Sequence, residues 1–369
     1  MTRLATLRLV DFRSYAVLDW AIEARVAVLV GPNGAGKTNL LEAISLLAPG
    51  RGLRGAKFAE LARIAPDAGG GFAIGGVLGA LGASSERVEL SSSVGGAERE
   101  RRKFFLEGQP ASGTEAAALF SAVWLTPQMD RLFTEGASAR RRFLDRLTLA
   151  LEPGHAREVT AFEAAAAHRA RLLEQGRFDL VWCGILEDQM ARHAVAMTAA
   201  RLDLIARLNA VMAGGVGRSV FPPARLGLAC AIGALLAEHP AVEVEDQLRA
   251  RLAAQRGSGS VPLSPQRADV LIADWQGAAA SLASTGEQRA MLVAIILGHA
   301  ALVHDWRGSP PILLLDEPFV HLDQARQEAL RDHVLAGPMQ VFCTATETGI
   351  WQNKAAIWSV AAGMVTPRA

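Results

Sequence analysis

The stretch Gly31-Pro32-Asn33-Gly34-Ala35-Gly36-Lys37-Thr38 constrains this chain more than any other. Before it runs Val26-Ala27-Val28-Leu29-Val30, continuously apolar as a strand buried on both faces must be; after it, Asn39 to Ile44 carries an apolar face at helical spacing. Strand, glycine-rich turn and helix in that order form the context of a phosphate-binding loop. Gly31, Gly34 and Gly36, with Pro32, Asn33 and Ala35 between them, let the backbone turn its N–H groups inward around phosphates. The helix N-terminus adds positive potential, Lys37 reaches the outer phosphates, and the Thr38 hydroxyl can ligate Mg²⁺. Only four lysines occur in 369 residues, so an accidental match is rare.

A second acidic element completes the chemistry. Ile312-Leu313-Leu314-Leu315 is an apolar strand that ends in Asp316-Glu317-Pro318. Asp316 can hold a hydrated Mg²⁺ beside Thr38, and Glu317 can orient or deprotonate a water for attack on a γ-phosphate. Upstream, Ser284-Thr285-Gly286-Glu287-Gln288 opens the apolar helix Arg289 to Ala301. It forms an anion cradle without a lysine of its own, suited to capping a γ-phosphate held by a second subunit; taken alone it is an ordinary helix N-cap. Gln128, in Thr126-Pro127-Gln128-Met129-Asp130 after the apolar Val123-Trp124-Leu125, is a further candidate for Mg²⁺ coordination or for positioning the attacking water.

Between these landmarks the texture changes. Thr6 to Phe12 alternates around Leu7 and Leu9 as a first strand. Ala48 to Gly55 is a Gly- and Pro-rich loop carrying Arg51 and Arg54. Short runs at Phe72 to Leu78, Arg87 to Val94 and Arg101 to Leu106 suggest an antiparallel meander attached to the nucleotide-binding sheet, with Arg99, Arg101, Arg102 and Lys103 as a basic end suited to nucleic acid. From Ala139 to Met212 the spacing is helical, in three segments. Leu226 to Ile232 reads as a strand, Val242 to Gln255 as a helix, Arg256 to Ser260 as a flexible linker, and Val261 and Asp269 to Asp274 as strand-like. Such a chain is α/β, with an ATPase lobe over 1–125 and 290–369 and a mainly helical lobe over 126–289 that ends in the signature segment Ser284 to Gln288.

Composition narrows the classes. A net charge of +1 disfavours a wide electrostatic surface but leaves room for a local basic patch. Cys183, Cys230 and Cys343 lack CxxC or Cys/His spacing and read as buried thiols in a reducing compartment. The longest apolar run, Ala290 to Val303, is interrupted by His299 and short of a membrane span, and the first residues lack a signal-peptide core, so a soluble cytoplasmic protein is expected.

With the loop, signature and paired acids in this order, followed by Leu322-Asp323, the chain resembles the ABC-type ATPases. Within them it resembles the RecF family of DNA replication and repair proteins, through Arg140 to Asp145 and Ser264-Pro265-Gln266-Arg267-Ala268-Asp269, while Phe12-Arg13-Ser14-Tyr15 is of a kind shared with SMC-like ATPases generally. The resemblance implies an ABC-type ATPase head that binds ATP and Mg²⁺ through Gly31 to Thr38, Asp316 and Glu317, with Ser284, Gly286 and Gln288 acting in trans. It implies a slow, DNA-dependent ATPase whose output is an ATP-dependent homodimer on DNA, at single-strand gaps and double-stranded junctions, helping RecA assemble with RecR and RecO. The family usually carries His where this chain has Gln266. Phe342 to Glu347, with Thr344 and Thr346, lies where transporter-type ATPases carry a switch histidine. That weighs against a membrane transporter's motor subunit, and the interval from Lys37 to Asp316 leaves no room for the long arms of an SMC-like structural protein.

Overall fold

Alternation at the N-terminus produces a hairpin: β1 (Arg3–Phe12), with Leu4, Leu7, Leu9 and Phe12 buried, turns back through Arg13-Ser14 into β2 (Tyr15–Ala21). The computed structural model describes residues 3–79, 87–95, 102–174, 179–214, 220–258, 261 and 263–368. They fall into two compact units: the described parts of 1–130, 215–223 and 284–369, and those of 131–214 and 224–283.

In the first unit, β3 (Val26–Val30) is buried at every position and leads through the glycine loop into α1 (Lys37–Ser45). Next come β4 (Phe72–Gly79), β5 (Val88–Val94), β6 (Lys103–Leu106), β7 (Gln109–Ala111), the short α2 (Gly113–Leu119) and β8 (Ala122–Leu125). The expected meander is thus a six-stranded antiparallel sheet of its own, ordered β2-β1-β4-β5-β6-β7. Of its basic end, Arg99 and Arg101 lie outside the described residues. Arg102 is not a free cation: its guanidinium lies 4.4 Å from the Phe104 ring centroid and donates to the carbonyls of Leu46 and Ala48, and burial pushes its pKa down to about 10.

The second unit is built on α3 (Ala137–Leu151), α4 (His155–Glu174) and α5 (Leu180–Gly214), with β9 (Ala224–Ala229), α6 (Ala231–Glu238), α7 (Ala241–Ala254) and β10 (Asp269–Asp274) around them. Phe162, Leu186, Met190, Ile232, Val244 and Leu248 form its core. Three sequence expectations change here. Cys230 to Ile232 leaves the strand and opens α6, where Ile232 fills the core. Val261 lies outside any strand. Arg256 is anchored rather than flexible, because its guanidinium pairs with the buried Glu187, which also takes a 3.1 Å bond from Arg169. Gly259 and Ser260 lie outside the described residues.

The chain then returns to the first unit with α8 (Thr285–Arg307), β11 (Ile312–Leu315), α9 (Gln324–Ala336), β12 (Val341–Ala345), β13 (Ala356–Ala361) and β14 (Met364–Arg368). β13, β3, β12, β11 and β8 run parallel in that order, and β14 closes one edge antiparallel to β13. Trp20 on β2 packs edge-on to Phe342 and Trp358, and the Gln340 amide bonds both backbone groups of Leu4, so the two sheets of this unit share a core. Helix α8 is long and apolar enough to cross a membrane, yet 83% of its most apolar window is buried in the protein. The signature opens this helix, so Ser284 to Gln288 belong to the first unit, not to the end of the helical one.

Polar residues singled out by the family resemblance converge inside the second unit. Arg140 bonds Asp269 with two parallel contacts of 2.8 Å, Arg141 donates to the Ala268 carbonyl, and Arg201 grips Asp145 at 2.7 and 2.8 Å while also reaching the Pro265 carbonyl. His155 closes the cluster at 2.8 Å from Asp145. Desolvation raises the Asp145 pKa, but the bonds from His155 and Arg201 outweigh it and hold the carboxyl below its ordinary value. Replacing Asp145 by Ala would leave Arg201 buried without its counter-charge, at a cost of about 3 kcal/mol in urea unfolding. A depressed carboxylate stabilises above its unfolded pKa of about 3.9 and loses that contribution as pH falls through the folded value. The gap between wild type and Asp145→Ala is therefore expected at neutral pH and should close below about pH 4.

Candidate functional site

The glycine loop is held from below by the turn between β1 and β2. Tyr15 donates its phenol proton to the Gly36 carbonyl at 3.1 Å, and the Ser14 hydroxyl accepts from the Asn39 amide at 3.0 Å. Arg13 forms a two-pronged pair at 2.8 and 3.1 Å with Glu42, whose side chain is wholly buried on α1. Gly36 has φ 102°, and a Cβ there would sit 2.8 Å from the Tyr15 hydroxyl; one at Gly31 would sit 2.4 Å from the Val360 carbonyl oxygen. Both positions therefore require glycine for space, and Gly36 for its backbone as well.

Lys37 is 5% exposed, and its ammonium donates to the carbonyls of Gly31 at 2.6 Å and Pro32 at 3.0 Å. Desolvation lowers its pKa, while the charges of Glu317 and Asp316 oppose the shift. The Thr38 hydroxyl reaches Asp316 Oδ1 at 2.9 Å, joining residues 278 apart in sequence. This contact follows from sheet order: β3 and β11 flank β12 and all three are parallel, so their carboxyl ends open on one side. Asp316 Oδ1 also accepts from Thr344 at 2.8 Å, and the same Thr344 oxygen accepts from the Glu317 N–H at 2.8 Å. Glu317 has φ 46°, a left-handed backbone that a side chain adopts at a cost of about 1–2 kcal/mol.

The signature residues divide. Ser284 is the N-cap of α8 in a reciprocal capping box with Glu287, so it serves as an ordinary cap whatever else it does. Ser284 and Thr285 are exposed, and Gly286 lies against the strained segment after Glu317, where an added Cβ would come within 3.3 Å of the His321 carbonyl oxygen. Gln288 is only 7% exposed, because the first turn of α8 already rotates that position inward. The surface open to a second molecule is therefore that of Ser284 to Gly286. Gln128 is exposed on the 3₁₀ turn after β8, and its side chain makes none of the bonds that gather Thr38, Asp316 and Thr344.

The bonds of two participants lay beyond sequence reasoning. Arg289, fully buried, reaches Asp130 at 2.6 Å, the Thr126 carbonyl at 3.3 Å and the Glu317 carbonyl at 3.2 Å. The other is the Thr344 hydroxyl. A buried charge directly after the signature was the one available clue to Arg289; the partner of a threonine cannot be read from spacing.

Relatives agree with this architecture. The RecF/RecN/SMC N-terminal domain model matches residues 3–365. Proteins named DNA replication and repair protein RecF are similar over 98% of this chain and 98% of their own, at 41% identity in Rhizobium etli strain CIAT 652 and 40% in Agrobacterium fabrum. A solved structure of the recombination mediator protein RecF with ATP, in the RecFOR pathway, has the same fold: its TM-score is 0.85 at 21% identity, over 100% of this chain and 98% of that one. The Smc head domain of Pyrococcus furiosus, bound to a domain of ScpA, is a more distant likeness, with a TM-score of 0.54 at 14% identity over 100% of this chain and 96% of that one. The fold is that of an ABC-type ATPase head, and the chain belongs to the RecF family.

Proposed function

We propose that this chain is an ATP-switched DNA-binding protein of recombinational repair and replication. ATP closes two copies head to head on DNA at single-strand gaps and double-stranded junctions, and slow hydrolysis releases them. The observation that carries the reading is the meeting of Thr38 and Asp316 at 2.9 Å beside the buried Lys37 ammonium. Hydroxyl and carboxylate oxygens are the donors a hard cation takes, so Thr38 and Asp316 fit Mg²⁺, which when bound supplies charge neutralisation at the outer phosphates. The Gly31 and Pro32 carbonyls now occupy the Lys37 donors that phosphate oxygens would take. Glu317 orients the attacking water, and Ser284 and Gly286 cap the triphosphate held by the other copy.

The names of the relatives support the DNA role, and the RecFOR pathway of the solved RecF points to RecR and RecO as partners in assembling RecA. A basic surface on this chain suits the phosphate backbone: Arg51, Arg54 and Lys57 are exposed on a loop pinned by the buried Leu53. Arg54 donates to Asn39, the residue after Thr38, at 3.1 Å. Filter binding to gapped DNA, with and without ATP, tests the proposal; retention independent of ATP would sink it.

Three variants separate the parts. Lys37→Ala removes two charge-assisted contacts and should weaken ATP binding by about 100-fold, measured with a fluorescent nucleotide. Glu317→Gln should keep ATP affinity, slow phosphate release by about 10²-fold or more, and accumulate dimer in light scattering. Ser284→Arg should bind ATP as a monomer with wild-type affinity; an ordinary ATP-dependent dimer in sedimentation would refute the role of the signature across the interface.

A further inference from the structure

We infer that Thr344 is a positioning residue for the cation half of the site and not a γ-phosphate contact. The inference rests on the nucleotide reading above. A threonine hydroxyl has one proton to donate. That of Thr344 goes to Asp316 Oδ1 at 2.8 Å, and the same oxygen accepts the Glu317 N–H at 2.8 Å. Thr344 is 1% exposed on β12, between β3 and β11, the strands that deliver the glycine loop and the two acids. Its hydroxyl is thus committed inside the protein before any phosphate arrives.

The consequence lies at Asp316. Two hydroxyl protons, from Thr38 and Thr344, converge on Oδ1. When a cation takes the Thr38 oxygen as a ligand, Thr344 remains to fix the carboxylate rotamer, and through the Glu317 N–H it fixes the backbone of the neighbouring acid. Partners that orient a metal-binding carboxylate typically change cation affinity by about 10- to 100-fold when removed.

The test titrates MgCl₂ against a fluorescent ATP analogue bound to the full chain. Thr344→Val, close in shape but without the hydroxyl, should raise the half-saturating Mg²⁺ concentration by about 10-fold or more. Metal-free nucleotide affinity should stay within about twofold of wild type, since it depends on Lys37 and the loop. Thr344→Ser should restore the wild-type midpoint. Should the valine variant fail to fold, Thr344→Ala replaces it with the same expectation. An unchanged midpoint in Thr344→Val or Thr344→Ala overturns the inference, as does a loss of ATP-over-ADP discrimination with the midpoint intact, which would identify a phosphate sensor. If wild type itself shows no Mg²⁺-dependent binding of ATP, the nucleotide reading fails instead.

Discussion

Asp316 Oδ1 is the point on which the first unit converges. It receives hydroxyl protons from the residue after the loop lysine and from β12, so three neighbouring strands, β3, β12 and β11, are cross-linked at their carboxyl ends by one carboxylate oxygen. A carboxylate 3% exposed is costly unless its charge is matched by donors or cations. Here both donors are neutral hydroxyls, and the nearby cation, Lys37, is turned to the Gly31 and Pro32 carbonyls. Among the described residues no cation pairs directly with this buried carboxyl group, an arrangement of oxygen donors that suits a divalent cation.

The parts of this site that follow from chemistry at fixed spacing could be read in the sequence. Gly31 to Thr38 stood out because a tight turn between strand and helix calls for glycines, and Asp316-Glu317 because two acids end a buried apolar strand; the structure brings Thr38 and Asp316 together. The tertiary partners could not be read. Phe12-Arg13-Ser14-Tyr15 stood out as a motif, but nothing local says that Tyr15 holds the Gly36 carbonyl or that Arg13 neutralises the buried Glu42. The orientation of Gln288 was equally illegible: its place within the signature suggested a ligand, and the first turn of α8 leaves its side chain only 7% exposed. In the fold, the strands of the meander announced themselves by alternation, while α6 was hidden because the short apolar run Ala231 to Ala237 reads equally as strand or helix until its packing is known.

The segments that set this family apart have a structural role of their own. Arg140 and Arg141 in α3 meet Asp269 and the Ala268 carbonyl, and Arg201 links Asp145 to Pro265, so two members of this arginine run are consumed inside the second unit. Arg142, in contrast, donates to the Ser138 hydroxyl in an exposed contact. Directional pairs of this kind fix one arrangement of helices and hairpin where an apolar contact would tolerate several. Gln266 sits beside this clasp on an exposed turn, 3.5 Å from Glu163, and takes no part in it.

Glu317 shows how the signature could speak to the acid within one molecule. Its backbone is held on both sides, the N–H by Thr344 and the carbonyl by Arg289, and the left-handed φ of 46° persists because these contacts over-determine it. Arg289 is the residue directly after Gln288, and its other bonds run to Asp130 and Thr126 on the turn that follows β8. One buried guanidinium thus ties the first turn of α8 both to the turn after β8 and to the Glu317 carbonyl. Gly286 packs close to the same segment, where a Cβ would come within 3.3 Å of the His321 carbonyl oxygen. The first turn of α8 and the segment that carries Glu317 are therefore held together by contacts within one molecule.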